Sequence, residues 1–204
     1  MAQDPKNRFS HIKEEFIQMQ KAYEEDDKLR EEIIILSRDI IKPSKQAIYS
    51  VHREQFDQAQ QQLEHAREQI HKAKKRIEQS SFDYIGSFRA GLEEYVEAML
   101  TFSFMKTGQI LSKKDCELEF ELPSETYIAA ISDFTGELVR AGVRAAIAKN
   151  KKLITQIHQT IEELHGLTMG FNARSGDLRK KIDTIKYNLA KIENIVYDIT
   201  IKQN

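Results

Sequence analysis

The sequence predicts an all-α protein, an antiparallel bundle of about seven helices in a single domain over residues 1–204. Apolar residues recur at alternating steps of three and four along most of the chain, which is the spacing of one helix face. Only 8 Gly and 3 Pro occur, too few for the many turns of a β-sandwich or barrel. The length also fits one domain.

Composition excludes several protein classes. The 31 Lys and Arg residues nearly balance 32 Asp and Glu residues, yet the basic clusters 71–76 and 179–181 can bind a polyanion if they share a face. Solvated helix faces are the alternative explanation. A lone Cys116 excludes an internal disulfide framework. No membrane span or signal-peptide core is recognisable, so we expect a cytoplasmic protein.

The apolar pattern in the N-terminal quarter of the sequence predicts two helices. The first carries an apolar strip from Phe9 to Tyr23, with Asp4–Pro5 as its cap and first turn. The acidic run 24–27 predicts a break before a second strip that begins at Leu29. Pro43 predicts a kink or break in this second helix, because proline removes a backbone donor and clashes with the preceding turn.

The third predicted helix has an unbroken seven-residue period in which small and large apolar residues alternate. Its members are Phe56, Ala59, Leu63, Ala66, Ile70, Ala73 and Ile77. Alanine in this seam lets a neighbouring helix approach closely. Ser80–Ser81 ends the helix, and Ser81 is the expected cap of a fourth helix that fades near Gly108.

Residues 109–123 are the longest predicted non-helical stretch, with an alternating segment at 118–122 that suits an extended connector. Ser124 is the expected N-cap of the fifth helix. The sixth and seventh helices carry apolar strips that begin at Leu153 and Leu178. Three apolar residues lie off the main strips and, if they form a patch, need cover from other copies of the chain: Leu100, Phe104 and Ile147.

Familiar catalytic motifs are absent, including a Gly-rich phosphate loop and a Gly-x-Ser-x-Gly elbow. Two Glu-x-x-His pairs, Glu68 with His71 and Glu162 with His165, have the spacing of di-iron sites in helical bundles. At 100° per residue all four side chains lie off the apolar strips, so we expect them to face outward or to sit at a boundary.

Two acidic pairs carry the strongest chemical signal. Glu94 and Glu97 are three residues apart and Asp133 and Glu137 four apart, so each pair lies on one helix face, opposite the apolar strip. If the pairs converge, they form an oxygen-only, strongly anionic cluster that suits Mg²⁺ or Mn²⁺. Such an ion can activate water for attack on a phosphodiester. The alternative is a charged surface on which Glu137 pairs with Arg140.

Three segments carry a family resemblance: Gly-Leu-Glu-Glu-Tyr-Val-Glu-Ala at 91–98, Asp-Phe-Thr-Gly-Glu-Leu-Val-Arg at 133–140, and the run from Leu178 to Tyr197. In this order they resemble the translin and translin-associated factor X family, most strongly over residues 82–201. The resemblance implies a seven-helix protomer that assembles into a closed, roughly barrel-shaped oligomer around single-stranded nucleic acid.

The resemblance also implies residue roles. In this family the factor-X-type subunit is the nuclease, and all four of its expected metal ligands are acidic here: Glu94, Glu97, Asp133 and Glu137. Arg89, Arg140 and Arg144 are the predicted RNA-binding residues. The connector between the fourth and fifth helices is shorter than in eukaryotic factor X, and the C-terminal end is closer to translin. This mixture indicates a homo-oligomer larger than a dimer, similar to an octamer.

Three function hypotheses remain. The first is a Mg²⁺- or Mn²⁺-dependent endoribonuclease that hydrolyses single-stranded RNA inside a closed oligomer. The second is a non-catalytic, translin-like oligomer that binds single-stranded RNA or DNA, and the third is a purely structural helical assembly. RNA cleavage with and without Mg²⁺ separates the first two, and salt-titrated binding separates the second from the third.

Overall fold

The computed structural model describes residues 9–78, 85–117 and 121–201, and these residues form seven helices with no strand. The helices are α1 (Ser10–His52), α2 (Phe56–Glu78), α3 (Ile85–Thr107), α4 (Lys113–Cys116), α5 (Ser124–Ile147), α6 (Lys151–Thr168) and α7 (Gly176–Ile201). The predicted all-α bundle of about seven helices is confirmed. The caps predicted at Asp4–Pro5 and Ser81, and most of the extended segment 118–122, lie outside the described residues.

One continuous helix, α1, replaces the two helices predicted for the N-terminal quarter. Its 43 residues span about 65 Å at the α-helical rise. The acidic run 24–27 does not interrupt it, because exposed acidic residues cost a helix only a few tenths of a kcal/mol each. Of the kink or break predicted at Pro43, the break does not occur, since helix continues on both sides of the proline. Burial of Ile40 and Ala47 on the same helix offsets the lost backbone bond.

Two apolar clusters lie on either side of α3. One joins the second half of α1 to the alanine seam of α2 and to Leu92 and Tyr95. The other joins α3 to α5, α6 and α7 and contains Leu100 and Phe104, which are 0% and 2% exposed. The expectation that other copies cover these two residues is therefore wrong, because α3 has two apolar faces within one protomer. Ile147 is exposed.

Local signals explain several helix ends. Gly108 has φ +77°, a left-handed conformation that favours glycine, and it follows the last residue of α3 as expected. The short helix α4 interrupts the stretch predicted to be non-helical, because Ser112 and Asp115 form a reciprocal capping box. Ser124, predicted to be the N-cap of α5, is instead its first helical residue. Pro123 occupies the N-cap position and makes no side-chain capping bond.

Within residues 9–78, 85–117 and 121–201, no helix combines the length and apolar composition that crossing a bilayer requires.

Candidate functional site

A pocket of about 580 Å³ opens between the second half of α1 and helices α3, α5 and α7. Its walls include all four carboxylates singled out from the sequence, Glu94 and Glu97 from α3 and Asp133 and Glu137 from α5. Two pairs that are 36 residues or more apart in the chain are therefore brought to one cavity.

Small residues let the helices close around this pocket. A Cβ atom on Gly91 would lie 3.4 Å from the Ile40 side chain, so glycine allows α1 to pack closely on α3. On the opposite wall, Gly136 of α5 faces Asn188 of α7. The apolar residues of α3 and α5 occupy their other faces, which leaves the acidic faces turned toward α1 and α7.

Two lysine side chains contact Glu94 and Asp133, two of the four pocket carboxylates. Lys45 Nζ lies 3.1 Å from Glu94 Oε1, and Lys181 Nζ lies 2.6 Å from Asp133 Oδ2. Lys181 also contacts the carboxylate of Glu93, so one ammonium group bridges α3 and α5 from α7. Burial lowers the pKa of Lys181, and the nearby Arg89 lowers it further.

Two nitrogen-bearing side chains approach the carboxylate of Glu137. The Nε2–H of His52, the last residue of α1, donates a hydrogen bond to Glu137 Oε2. Arg140, one turn along α5, lies 3.7 Å from the same oxygen, so the ion pair expected of a charged surface is present. Burial alone would raise the pKa of Glu137, but the His52 bond and charge, together with Arg140, hold it below its ordinary value.

Glu97 differs from the other three. Only 9% of it is exposed, and its carboxylate makes no ion pair or hydrogen bond within the described part of the chain. Burial, followed by repulsion from Asp133, Glu94 and Glu137, raises its pKa to about 9. The prediction of an outward polar face is wrong for Glu97, because α1 packs over this side of α3.

Asp133 is perturbed in the same direction. Burial and then the charge of Glu94 raise its pKa to about 6, although Lys45 opposes the shift. An oxygen-only set of mutually repelling carboxyl groups fits Mg²⁺ or Mn²⁺ chemically. Among the described His, Cys, Asp and Glu residues, however, no three side chains stand close enough together to hold one ion as placed. Binding would require rotamer changes that release the carboxylates from Lys45 and Lys181.

The predicted RNA-binding arginines separate into three environments. Arg140 lines the pocket, whereas Arg89 pairs with Glu125 at 2.8 Å on another part of α3. Arg144 is exposed in the last turn of α5. The structure therefore brings only one of these three arginines to the pocket wall.

The Glu-x-x-His pairs lie where the sequence placed them. Glu68 and Glu162 are exposed, and His71 and His165 are half-buried at the surface of α2 and α6. Neither pair points into a bundle core, so the di-iron alternative has no support from the geometry.

Sequence reasoning missed Lys45 and His52 at the site, and it noted Lys181 only as part of the basic cluster 179–181. A usable signal existed on α1, where Lys45 and His52 are seven residues apart and so share a helix face. On α7, Lys181 and Asn188 have the same spacing. Both helices thus carry a polar strip beside their apolar strip, and these strips meet the acidic faces of α3 and α5.

The fold and the site define an all-α bundle protein with a carboxylate-lined pocket between its helices. The chain belongs to the Translin family, whose model matches residues 28–203. Translin of Gallus gallus is 30% identical over 116 residues, which cover 56% of this chain and 51% of that protein. The translin-associated protein X homolog of Schizosaccharomyces pombe is 27% identical over 121 residues, 55% of this chain and 51% of the relative. The chain thus spans about half the length of these relatives.

Solved structures share the fold over nearly the whole chain. The structure of apo-NeC3PO has a TM-score of 0.76 at 24% identity, covering 97% of this chain and 98% of that one. AfC3PO in complex with duplex RNA has a TM-score of 0.81 at 21% identity, covering 92% and 97%. At these identities the likeness confirms the translin-like fold.

Proposed function

We propose that the chain is a metal-dependent endoribonuclease that cleaves single-stranded RNA. The observation that carries this proposal is the convergence of four carboxylates on one pocket, where burial and then the repulsion of the other three raise the pKa of Glu97 to about 9. Membership of a family with both translin and protein X relatives supports a nucleic-acid substrate.

Glu94, Glu97, Asp133 and Glu137 are the residues that would hold Mg²⁺ or Mn²⁺. When bound, such an ion supplies an activated water molecule and stabilises charge on the phosphoryl group. Without the ion, Glu97 holds its proton while Glu137, bonded to His52, is ionised. A carboxyl group must be ionised to bind the cation, so metal binding would release the proton of Glu97.

Cationic side chains around the pocket suit the RNA backbone. Lys45 and Arg140 line the pocket, and Lys181 lies against Asp133. Lys45 and Arg140 are more than half exposed and Lys181 is about one third exposed, so each can turn toward a phosphate. Binding that depends on several such contacts weakens steeply as salt rises.

The test is a cleavage assay on end-labelled single-stranded RNA and on the matching duplex, with Mg²⁺ or with EDTA. Duplex RNA is included because AfC3PO has been solved with it. We expect Mg²⁺-dependent internal cuts in the single strand and their loss in Glu137→Gln. Cleavage that is equal in EDTA, or equal in the variant, would reject the proposed site.

A non-catalytic nucleic-acid-binding protein is the second candidate. It is favoured because three of the four carboxylates already have partners within the chain, which partly neutralise the acidic set. These partners are Lys45 for Glu94, Lys181 for Asp133, and His52 with Arg140 for Glu137. Salt-sensitive RNA binding without cleavage in Mg²⁺ or Mn²⁺ would establish this alternative.

The proposal includes assembly. We expect a cytoplasmic homo-oligomer larger than a dimer, octamer-like, with the pocket facing an enclosed interior. Support comes from exposed apolar side chains, which commonly mark interfaces: Phe16, Met19, Tyr23, Ile147, Leu167, Met169 and Phe171. Light scattering at micromolar concentration is the check. A monomer that cleaves RNA at full rate would reject the enclosed chamber and leave the metal site standing.

A further inference from the structure

A buried histidine lies behind the Glu137 wall of the pocket. The His52 side chain is 2% exposed at the C-terminal end of α1, and its Nε2–H donates to Glu137 of α5. Its other ring nitrogen, Nδ1, is buried without a hydrogen-bond partner. The inference below rests on the proposed function.

The unpaired nitrogen indicates what the ring is for. A buried polar atom left without a partner costs about 1–3 kcal/mol, so an apolar side chain would stabilise this position better. The contact that His52 makes is directed at one carboxylate, and the ring does not line the pocket itself. Its place in the fold is therefore explained by Glu137 rather than by packing alone.

Glu137 also has an alternative partner. Arg140 lies 3.7 Å from the same carboxylate oxygen, but its side chain is 53% exposed, on the outer rim of the pocket. The buried His52 and the exposed Arg140 thus approach one carboxylate from opposite environments. Without His52, the ion pair with Arg140 would be the interaction that orients Glu137. That pair would draw the carboxylate toward the exposed rim of the pocket.

We propose that His52 is a positioning residue, which holds the Glu137 carboxylate inside the pocket in the orientation that binds the divalent cation. The hydrogen bond requires a proton on Nε2, because a carboxylate can only accept. Outer partners of metal ligands typically contribute about 10–100-fold to metal affinity, and this range is the expected effect of losing His52.

The test measures Mn²⁺ affinity by electron paramagnetic resonance on the full chain and its variants. We expect His52→Leu to weaken Mn²⁺ binding about 10–100-fold and His52→Gln, whose amide can still donate, to restore most of it. Ser50→Ala is the matched control, since Ser50 is equally buried near the end of α1 but bonds Gln62 instead of the pocket. Thermal unfolding of each variant separates positioning from stability.

RNA cleavage gives a second readout. With RNA as substrate, His52→Leu should lower kcat at saturating RNA with little change in KM. Wild-type affinity in His52→Leu would overturn the role of His52 and leave the metal site intact. Absence of Mn²⁺ binding by the wild-type chain would overturn the proposed function itself.

Discussion

The two sides of α5 have opposite roles within the same 24 residues. On one side Phe134 and Leu138 are fully buried among α3, α6 and α7, in the larger apolar cluster. On the other side Asp133 and Glu137, adjacent to these residues in sequence, line the acidic pocket. Burial of the first pair stabilises the fold, whereas burial raises the pKa of Asp133 and crowds like charges. Burial of the apolar face thus holds α5 in place, and this stabilisation offsets the cost of crowding carboxylates on its acidic face.

The largest expected effect breaks the acidic side. Replacing Glu97 or Glu137 by Gln should reduce Mg²⁺-dependent RNA cleavage at least about 100-fold, the upper end of the loss for an outer partner of a metal. Folding should persist, because neither residue belongs to an apolar cluster and Gln has nearly the same shape. The measurement is initial cleavage rate with circular dichroism as the folding check.

Glu162→Gln is the matched control for this experiment. Glu162 is an exposed acid on α6 and belongs to a Glu-x-x-His pair, so it also tests the di-iron alternative. Wild-type cleavage in Glu162→Gln is expected. Retention of near wild-type rates by both pocket variants would show that the carboxylates are not the site.

The converse experiment breaks the apolar side. Leu138→Ala should lower the free energy of unfolding by about 2–5 kcal/mol, because a fully buried leucine leaves a cavity when truncated. Cleavage per folded molecule should change little, since Leu138 does not line the pocket. Urea denaturation measures the first and activity below the unfolding transition the second. A large loss of cleavage with little loss of stability would reverse the assignment of the two faces.

The acidic side should also show a pH signature. The folded-state pKa of Glu97 is about 9 against an ordinary 4.5, so the folded state binds the proton more tightly. This group therefore stabilises the fold at low pH, and its contribution is lost as pH rises from about 4.5 to about 9. Glu97→Gln does not titrate, so in EDTA its stability relative to wild type should increase from pH 5 to pH 8. An equal difference in urea midpoint at both pH values would contradict the raised pKa.

Helical periodicity predicted the all-α bundle and placed each acidic pair on one helix face, whereas the grouping of the four carboxylates as one metal-binding set came from the family resemblance. The strips of α2 and α7 follow from helical spacing alone, and the acidic pairs at 94/97 and 133/137 follow from their positions on one face. Continuity of α1 through Pro43 could not be predicted the same way. It depends on burial of Ile40 and Ala47 by other helices, which offsets a local cost.

Contacts between helices also explain what was missed at the site. The burial of Glu97 depends on how closely α1 approaches Gly91, and the role of His52 depends on α1 ending beside α5. Leu100 and Phe104 lie off the main strip of α3, and helical spacing alone did not show that α5 and α6 cover them within the protomer. Helical spacing identifies faces, but it does not identify which neighbour each face meets.

The smallest expected effect sharpens the comparison with one type of substitution, Gly→Ala, made on each side of α5. At Gly136, on the pocket side, an added Cβ would lie 3.6 Å from Asn188, an ordinary contact, so alanine should stabilise the helix by about 0.5–1 kcal/mol. At Gly142, on the apolar side, the added Cβ would lie 2.5 Å from Cδ1 of the fully buried Ile192. The overpacking cost of about 1–3 kcal/mol should exceed the helix gain there. Urea denaturation of the two variants should therefore give shifts of opposite sign, and shifts of the same sign would mean that both faces of α5 are equally tolerant of added volume.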